Sequence, residues 1–237
     1  MSAPLTVLGV GADGWAGLNP LAQREVLAAE VVLGGSRHLD MLPDQPGQQR
    51  VVWPVPLREN LPSLLEKYDG CTVVVLASGD PLLSGIGSTL VALLGADRVR
   101  IEPAVSSTTL ARARLGWPEE TTELITLVGR DPAAVLRALA PGHRLLVLSA
   151  HAGTPARVAA LITGAGYGDS TLTVLGDLGS DHESRRSGPA ASWSGPSPDL
   201  NVVAIECRTS GPALGWTPGL PDSAFEHDGQ LTKRDAR

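Results

Sequence analysis

Three short loops hold the residues whose types and spacing could bind a small polar molecule and position it for reaction. Each follows a predicted strand, and their sequences are Gly9-Val10-Gly11-Ala12-Asp13-Gly14, Ser78-Gly79-Asp80-Pro81 and Pro103-Ala104-Val105-Ser106-Ser107. Glycine lets a ligand approach the backbone closely, while aspartate and serine side chains form hydrogen bonds with polar ligand groups. If the strands are parallel, the loops lie at the edge where open α/β sheets bind ligands.

The first loop also fits the G-x-G-x-x-G pattern of dinucleotide-binding proteins, so a nicotinamide- or flavin-dependent oxidoreductase is one alternative. In that motif a helix begins within the loop and its amides bind the pyrophosphate, whereas Asn19 and Pro20 predict a later helix start. The acidic residue expected about 20 positions further on is replaced by Gly34-Gly35-Ser36-Arg37. Arg37 would suit a 2′-phosphate, so this alternative stays open, as does a glycine turn with a purely structural role.

The other polar residues of interest also have structural explanations. Gly79-Asp80-Pro81 is an ordinary turn sequence, and Ser106 and Ser107 can serve as helix caps. The histidines lack partners at the spacing of a catalytic triad or a metal site, and no hydrolase or P-loop motif occurs. Cys71 and Cys207 lack metal-ligand spacing and are predicted to be buried, reduced thiols, so no metal is expected.

Composition limits the class of protein. Of the 237 residues 43% are hydrophobic but only 3% are aromatic, which suits parallel sheets covered by helices on both faces. The net charge of −6 argues against a nucleic-acid-binding surface and favours small-molecule chemistry. The amino terminus has no signal-peptide pattern, and no apolar run approaches the roughly 20 residues of a membrane span, so we expect a cytoplasmic protein.

The alternation of strands and helices predicts an α/β protein with two lobes, each a mostly parallel sheet flanked by helices. Residues 1–117 are assigned to the first lobe and residues 118–209 to the second, because Gly116-Trp117-Pro118 interrupts the pattern before a second alternating series. Residues 187–198 are predicted to be an exposed loop, and residues 210–237 a linker. The predicted strands cover residues 5–10, 31–33, 51–52, 72–77 and 99–101, then 124–128, 145–148, 171–175 and 202–206.

Taken in order, five short motifs resemble the tetrapyrrole (corrin/porphyrin) methylase family over most of residues 5–207. These motifs are Leu8-Gly9-Val10-Gly11, Ser78-Gly79-Asp80-Pro81, Pro103-Ala104-Val105-Ser106-Ser107, Leu178-Gly179 with Glu183, and Leu200-Asn201-Val202-Val203. Two further stretches resemble the branch of the family that methylates carbon 5 of precorrins. They are Gly11-Ala12-Asp13-Gly14-Trp15 and Val32-Leu33-Gly34-Gly35-Ser36-Arg37-His38-Leu39.

The resemblance implies a homodimer of two-lobed chains that bind S-adenosylmethionine in a cleft between the lobes and release S-adenosylhomocysteine. It implies transfer of a methyl group to carbon 5 of a precorrin, of the precorrin-6Y or precorrin-7 type, in cobalamin biosynthesis. The residues that it assigns to the methyl donor are Ala12, Gly79, Asp80, Leu83, Ser106, Ser107, Leu148 and Ala204. The residues that it assigns to the macrocycle are Gly9, Gly11, Asp13, Gly14 and Trp15.

The implied chemistry needs few catalytic groups, because the sulfonium methyl is already activated and the protein chiefly orients donor and acceptor and excludes water. Since precorrins carry many carboxylates, basic side chains are expected near the acceptor even in an acidic protein. Arg37, Arg112 and Arg130 are the candidates. A general base could also be required, and Asp13, His38 and Glu183 remain open for that role.

Two positions depart from the family pattern. Many relatives have Gly-x-Gly-Pro-Gly in the first loop, where this chain has Ala12-Asp13, and close relatives have His-Gly-Arg in place of Val128-Gly129-Arg130. The second departure puts in doubt any acid–base role for a histidine at that place. Residues 220–234 resemble the opening of a carbon-15 methylating and decarboxylating domain, which is expected to be either cut off at the junction or present only as a vestige.

Other activities stay open at this point. Within the family these are methylation of uroporphyrinogen or of a diphthamide precursor, and outside it a nicotinamide-dependent oxidoreductase or a noncatalytic tetrapyrrole carrier. A linked or separate carbon-15 domain is the expected protein partner of the chain.

Overall fold

The computed structural model describes residues 4–211, and the chain divides into two compact units. Of the described residues, the first unit comprises 4–110 together with Gly179–Asp181, and the second comprises Ala111–Leu178 together with 182–211. The division therefore lies within a helix, Ser107–Leu115, whereas the predicted boundary followed Trp117. Most of the predicted linker at 210–237 lies outside the described residues.

The first unit is built on a five-stranded sheet in the order β3-β2-β4-β1-β5, with parallel pairing throughout. Parallel pairing brings the carboxyl ends of all five strands to one edge, which we call the first-sheet edge. The strands are β1 (Leu5–Val10), β2 (Val31–Gly34), β3 (Gln49–Val52), β4 (Val73–Ser78) and β5 (Val99–Glu102).

Helices follow the strands of this unit, as predicted. Asn19 caps the second helix, its side-chain oxygen accepting hydrogen bonds from the amides of Leu21 and Ala22 at 2.9 Å, which confirms the predicted start at Pro20. The expectation that no helix begins before Asn19 is wrong, because a single helical turn forms there that is too short to show apolar periodicity. The helices are α1 (Gly14–Gly17), α2 (Pro20–Ala28), α3 (Ser36–Asp40), α4 (Leu57–Lys67), α5 (Ile86–Leu94) and α6 (Ser107–Leu115).

The core of the first unit lies on both faces of its sheet. Successive strand residues point to opposite faces, so Leu8 packs with the cluster that contains Val26 of α2, while Val7 packs with the cluster that contains Leu61 of α4 and Leu90 of α5. Burial on both faces explains why these strands are continuous apolar runs rather than alternating sequences.

The second unit has a five-stranded sheet in the order β6-β7-β10-β8-β9. Its helical segments are a 3-10 helix, Pro132–Ala138, and α7 (Thr154–Ile162), which is followed by a π turn at Thr163–Tyr167. The strands are β6 (Glu123–Thr126), β7 (Arg144–Leu148), β8 (Thr171–Gly176), β9 (Ser184–Pro189) and β10 (Asn201–Glu206).

The second sheet is mixed. Only β6 and β7 pair in parallel, while β7–β10, β10–β8 and β8–β9 are antiparallel. The predicted α/β class is thus confirmed. The prediction of a mostly parallel sheet is confirmed for the first unit and is wrong for the second, in which three of the four strand pairings are antiparallel. The prediction of a loop from residue 187 also misses β9, because this edge strand is polar, with Arg185 exposed and Arg186 over the Trp193 ring at 4.3 Å.

Both cysteines are free, and Cys207 is buried as predicted, but Cys71 is exposed because it lies in the turn before β4. Among residues 4–211, none of the helices combines the length and the apolar composition that a membrane span requires. The same described residues contain no group of three or more His, Cys, Asp or Glu side chains that could hold a metal ion.

The core of the second unit makes a first test of the fold. Leu145 of β7 is fully buried, so we expect Leu145→Ala to lower the free energy of unfolding by about 3 kcal/mol, through lost burial and a residual cavity. Leu136 is 37% exposed, and Leu136→Ala should cost about 1 kcal/mol or less. Urea denaturation of both variants measures the difference, and equal losses would contradict this assignment of the core.

Candidate active site

The first-sheet edge brings the three predicted loops together. Strand β1 lies between β4 and β5, with Val10 paired to Ser78 and Leu8 paired to Glu102. The loops that follow these three strands therefore leave the sheet side by side. Their arrangement matches the position at which ligands bind to open parallel sheets.

Gly9 is the residue that lets two of these loops meet. The amide of Gly79 donates a hydrogen bond to the Val10 carbonyl at 2.9 Å, and the amide of Ala104 donates to the Gly79 carbonyl at 3.1 Å. A Cβ atom on Gly9 would lie 2.0 Å from the Gly79 oxygen and 2.4 Å from the Ala104 nitrogen, both of them backbone atoms. The loops after β4 and β5 are therefore joined by backbone hydrogen bonds in the space that any other residue at position 9 would fill.

The Gly-Asp-Pro loop is folded onto the start of α5. Gly79 has a φ of 52°, in the left-handed region that favours glycine. One carboxylate oxygen of Asp80 accepts a hydrogen bond from the Leu82 amide at 2.8 Å, and the Pro81 carbonyl accepts one from the Gly87 amide at 3.0 Å. Asp80 is thereby fixed in orientation and, like Leu83, is half-buried at the first-sheet edge.

Ser106 is the N-terminal cap of α6, which is the structural role that the sequence offered as an alternative to ligand binding. It is 8% exposed, and its hydroxyl oxygen accepts a hydrogen bond from the Thr109 amide at 3.1 Å. It also lies 2.8 Å from the Thr108 hydroxyl. Ser107 is the first residue of the helix and is half-buried, so it presents more of its surface to a ligand than Ser106 does.

The first loop forms a tight turn around a carboxylate. The amide of Gly14 donates to the Gly11 carbonyl at 3.1 Å, and Gly14 has a φ of 60°. Asp13 is exposed, but a Cβ atom on Gly17 would lie 2.0 Å from its carboxylate, so the side chain lies directly over Gly17. The Asp13 carboxylate therefore lies close to Gly11 and Gly17, in space that a side chain at either position would fill.

Two other residues of this stretch have different environments. Ala12 is half-buried on the loop. Trp15 packs against the apolar cluster on the α2 face of the first sheet, and its carbonyl accepts a hydrogen bond from the Gln23 side chain at 2.9 Å. The indole thus contributes to the core as well as to the loop.

A triangle of polar side chains lies beside Gly79. Helix α3 begins directly after β2, which is the neighbour of β4 in the sheet, so Arg37 and His38 come close to Ser78 at the end of β4. The Arg37 Nη2 atom is 3.2 Å from the Ser78 hydroxyl oxygen and 3.2 Å from His38 Nε2. The third side, from Ser78 Oγ to His38 Nε2, is 3.1 Å.

His38 is neutral in this environment. It is 8% exposed, and burial, reinforced by the positive charge of Arg37, lowers the pKa of its imidazole to about 4. Arg50 of β3 donates hydrogen bonds at 3.4 Å to the carbonyls of Leu39 and Leu42 and so fixes the end of α3. The sequence left His38 open as a base, and it did not indicate the contact with Ser78, which depends on the order of strands in the sheet.

In the second unit, Leu148 and Arg130 lie at one edge of the sheet. Leu148 is the last residue of β7, and its carbonyl accepts a hydrogen bond from the Leu127 amide at 3.0 Å. Arg130 is exposed in the turn after β6, next to Gly129, whose φ is 65°. Ala204 is 1% exposed in the middle of β10, so its side chain offers almost no surface to a ligand.

Two other candidate residues of the second unit, Arg112 and Glu183, form ion pairs within the protein. Arg112 forms an ion pair with Glu119 at 3.0 Å, and its side chain is 20% exposed. Arg114 forms a two-point contact with Glu183, at 2.6 and 3.1 Å. The Arg112 charge is therefore partly compensated within the protein, and so is the charge of Glu183, which was one of the open bases.

A hydrogen-bond network that the sequence did not predict fixes the loop after β7. The Ser149 hydroxyl donates to the Asn201 side-chain oxygen at 2.5 Å, and the Asn201 amide group donates to the Pro198 carbonyl at 2.7 Å. The Ala152 amide donates to Asp199 at 3.0 Å. Asn201 thus connects the loop that follows β7 to the segment that precedes β10.

Comparison with known sequences agrees with the family resemblance of the sequence motifs. A family model described as tetrapyrrole (corrin/porphyrin) methylases matches residues 4–192. A precorrin-6Y C(5,15)-methyltransferase (decarboxylating) from Mycobacterium tuberculosis is 42% identical over 237 residues, which cover 98% of this chain and 58% of that protein. A cobalt-precorrin-7 C(5)-methyltransferase from Salmonella typhimurium is 30% identical over 179 residues, covering 76% of this chain and 87% of that protein. The chain thus spans less than two thirds of the length of the first relative.

Solved structures resemble the fold. The precorrin-6Y methylase of Archaeoglobus fulgidus matches with a TM-score of 0.66 at 21% identity, over 87% of this chain and 99% of that one. The uroporphyrin-III C-methyl transferase of Thermus thermophilus, complexed with S-adenosyl homocysteine, matches with a TM-score of 0.64 at 20% identity, over 86% of this chain and 97% of that one. At these identities the likeness concerns the fold.

The contact between the Gly79 and Ala104 backbones beside Gly9 can be tested by adding a methyl group to residue 9. We expect Gly9→Ala to force the loops after β4 and β5 apart and to lower the free energy of unfolding by about 2 kcal/mol or more. Gly164 is the matched control, because a Cβ atom there would meet nothing within 4 Å. Gly164→Ala should leave stability unchanged or raise it slightly. Urea denaturation measures both, and a neutral Gly9→Ala would contradict the described contact.

The buried His38 makes stability depend on pH. Its pKa is about 4 in the folded chain against 6.5 when unfolded, so the unfolded chain takes up the proton first as the pH falls. The stabilising contribution is complete above about pH 6.5 and is lost progressively towards about pH 4. Between about pH 7 and pH 4 the wild-type chain should lose on the order of 3 kcal/mol more than His38→Gln in urea denaturation. Parallel curves for the two proteins would contradict the lowered pKa.

Proposed function

The chain belongs to the tetrapyrrole (corrin/porphyrin) methylase family, and we propose that it transfers the methyl group of S-adenosylmethionine to carbon 5 of a precorrin. One observation carries the proposal. The relative named for both carbons 5 and 15 is matched over 58% of its length, whereas the relative named for carbon 5 alone is matched over 87%. Carbon-5 methylation is the activity common to both names, and we assign it to the region that this chain shares with both relatives.

We assign the methyl donor to the loops at the first-sheet edge. The fit rests on the close approach above Gly9, which leaves glycine and alanine backbone, rather than bulky side chains, at the place where a nucleoside-bearing cofactor would approach. The first-unit contacts in this proposal are Ala12, Gly79, Asp80, Leu83, Ser106 and Ser107. In the second unit we assign Leu148, whereas Ala204 is 1% exposed and lies in a strand paired on both sides, so its role is to support the strand beside Leu148 rather than to contact the donor.

The protein contributes orientation and exclusion of water in this proposal. Bound S-adenosylmethionine supplies an already activated methyl group. The Asp80 carboxylate, fixed by the Leu82 amide, accepts hydrogen bonds from polar groups of the donor, while Leu83 covers an apolar part. Effective alignment of two reactants can contribute several kcal/mol to the rate without any acid or base.

The macrocycle is assigned to the first loop and to two arginines. Gly9, Gly11, Asp13, Gly14 and Trp15 are the loop residues in this proposal. Arg37 and Arg130 provide positive charge for the carboxylates of a precorrin. Arg112 is the weaker candidate among the three arginines, because Glu119 already forms an ion pair with it.

A homodimer in the cytoplasm, with a linked or separate carbon-15 methylating and decarboxylating domain as partner, completes the proposal. The length of the first relative supports the second domain, since this chain matches only 58% of that protein. The oxidoreductase alternative has less support, because the helix that follows β1 is a turn of four residues rather than a long helix.

Calorimetric titration with S-adenosylhomocysteine, with NADPH titrated in parallel, tests the class of cofactor. We expect binding of S-adenosylhomocysteine at one site per chain and none of NADPH. The reverse result would replace the methyltransferase by a dinucleotide-binding protein. Transfer of a labelled methyl group to precorrin, followed by location of the label on the ring, then separates carbon-5 methylation from methylation of uroporphyrinogen.

The Asp80 carboxylate is the single side chain whose role is most easily tested. Asp80→Asn keeps an oxygen that can accept the Leu82 hydrogen bond but removes the charge, so we expect S-adenosylhomocysteine to bind about tenfold more weakly with stability unchanged. Asp97→Asn is the matched control, because Asp97 is exposed on the 3-10 turn before β5, at the opposite edge of the sheet. Equal affinities for the two variants would remove Asp80 from the proposed site.

A further inference from the structure

The polar triangle of Arg37, His38 and Ser78 has a defined donor direction. A guanidinium has only N–H donors, so the Ser78 oxygen, 3.2 Å from Arg37 Nη2, accepts a hydrogen bond from it. The Ser78 hydroxyl hydrogen is then available for His38 Nε2, at 3.1 Å. Hydrogen bonds therefore run from Arg37 to Ser78 and from Ser78 to His38.

His38 takes part as an acceptor. Its Nε2 atom lies 3.2 Å from Arg37 Nη2, and a donor-only group at that distance requires a lone pair on the ring nitrogen. Burial supports this state, because it lowers the pKa of the ring to about 4 and keeps His38 neutral near pH 7. A protonated ring would place two positive groups side by side and would have no lone pair for either neighbour.

Packing alone does not account for a histidine at this position. Among the described residues, the other ring nitrogen, Nδ1, is buried and has no hydrogen-bond partner. A buried polar atom without a partner is destabilising, and a leucine of similar size would avoid that cost. The compensating gain is the contact of Nε2 with Ser78 and Arg37.

We infer that His38 is a positioning residue, which acts with Ser78 to hold the Arg37 guanidinium at the first-sheet edge for a carboxylate of a polycarboxylate macrocycle. The inference rests on the proposed function and deepens it, since it assigns the arginine contact to the substrate rather than to the methyl donor. Ser78 is the residue before Gly79 and is paired with Val10, so the triangle adjoins the first loop and the Gly-Asp-Pro loop.

An arginine in this role benefits from being held. A free arginine side chain loses rotamer entropy when it is fixed, and contacts made before binding remove part of that cost. The short helix α3, which carries Arg37, is itself fixed by Arg50 through the carbonyls of Leu39 and Leu42. Ser78 and His38 thus orient the guanidinium, while Arg50 fixes the backbone at the other end of its helix.

Four variants of the full chain test the inference by separating KM for the precorrin from kcat and from the affinity for S-adenosylhomocysteine. His38→Leu and Ser78→Ala remove the acceptor and the linking hydroxyl, and each should raise KM about tenfold with a much smaller change in kcat. His38→Gln offers a neutral acceptor and should restore most of the loss. Arg98→Gln removes an exposed arginine at the amino end of β5 and should leave KM unchanged.

A double-mutant cycle gives the decisive comparison. Once Arg37→Gln has removed the guanidinium, adding His38→Leu should raise KM no further, because His38 acts only through Arg37. Additive effects would overturn the inference, and so would unchanged KM in folded Ser78→Ala, or a loss of S-adenosylhomocysteine affinity in place of the rise in KM. Failure of the wild-type chain to bind S-adenosylhomocysteine would instead overturn the proposed function, and the inference with it.

Discussion

The hydrogen bond from the Ala104 amide to the Gly79 carbonyl is the interaction on which the candidate site depends. It joins the loops after β4 and β5 across the end of β1, and it forms only because Gly9 has no side chain. Parallel strand pairing brings the three strand ends to one edge, but pairing alone would leave the loops separated by a side chain. The loops after β4 and β5 can therefore contact each other across the end of β1 only because residue 9 is a glycine.

The two units position their loops by different means. In the first, backbone hydrogen bonds and left-handed glycines give loops with few side chains between them. In the second, the side chain of Asn201 connects the loop after β7 to the segment before β10. The first arrangement places backbone atoms of two loops in direct contact. The second fixes the loop that follows Leu148 through polar side chains.

Features decided by residues close together in the sequence were predicted well. Features that depend on contacts between distant segments were not. Asn19 and Pro20 marked the start of α2 because capping is decided within four residues. The polar edge strand β9 and the antiparallel pairings of the second sheet were missed, since neither leaves an apolar pattern in the chain. The glycine and serine loops were identified from sequence, but the contact of His38 with Ser78 depends on β2 lying beside β4.

Strand β9 has a consequence for self-association. An outer strand with unpaired backbone groups can add a strand from another molecule, and charged side chains are a common defence against such stacking. Two copies of β9 brought together would juxtapose the arginines of Ser184-Arg185-Arg186-Ser187 across the contact. The resulting like-charge repulsion opposes edge-to-edge pairing of two chains through β9.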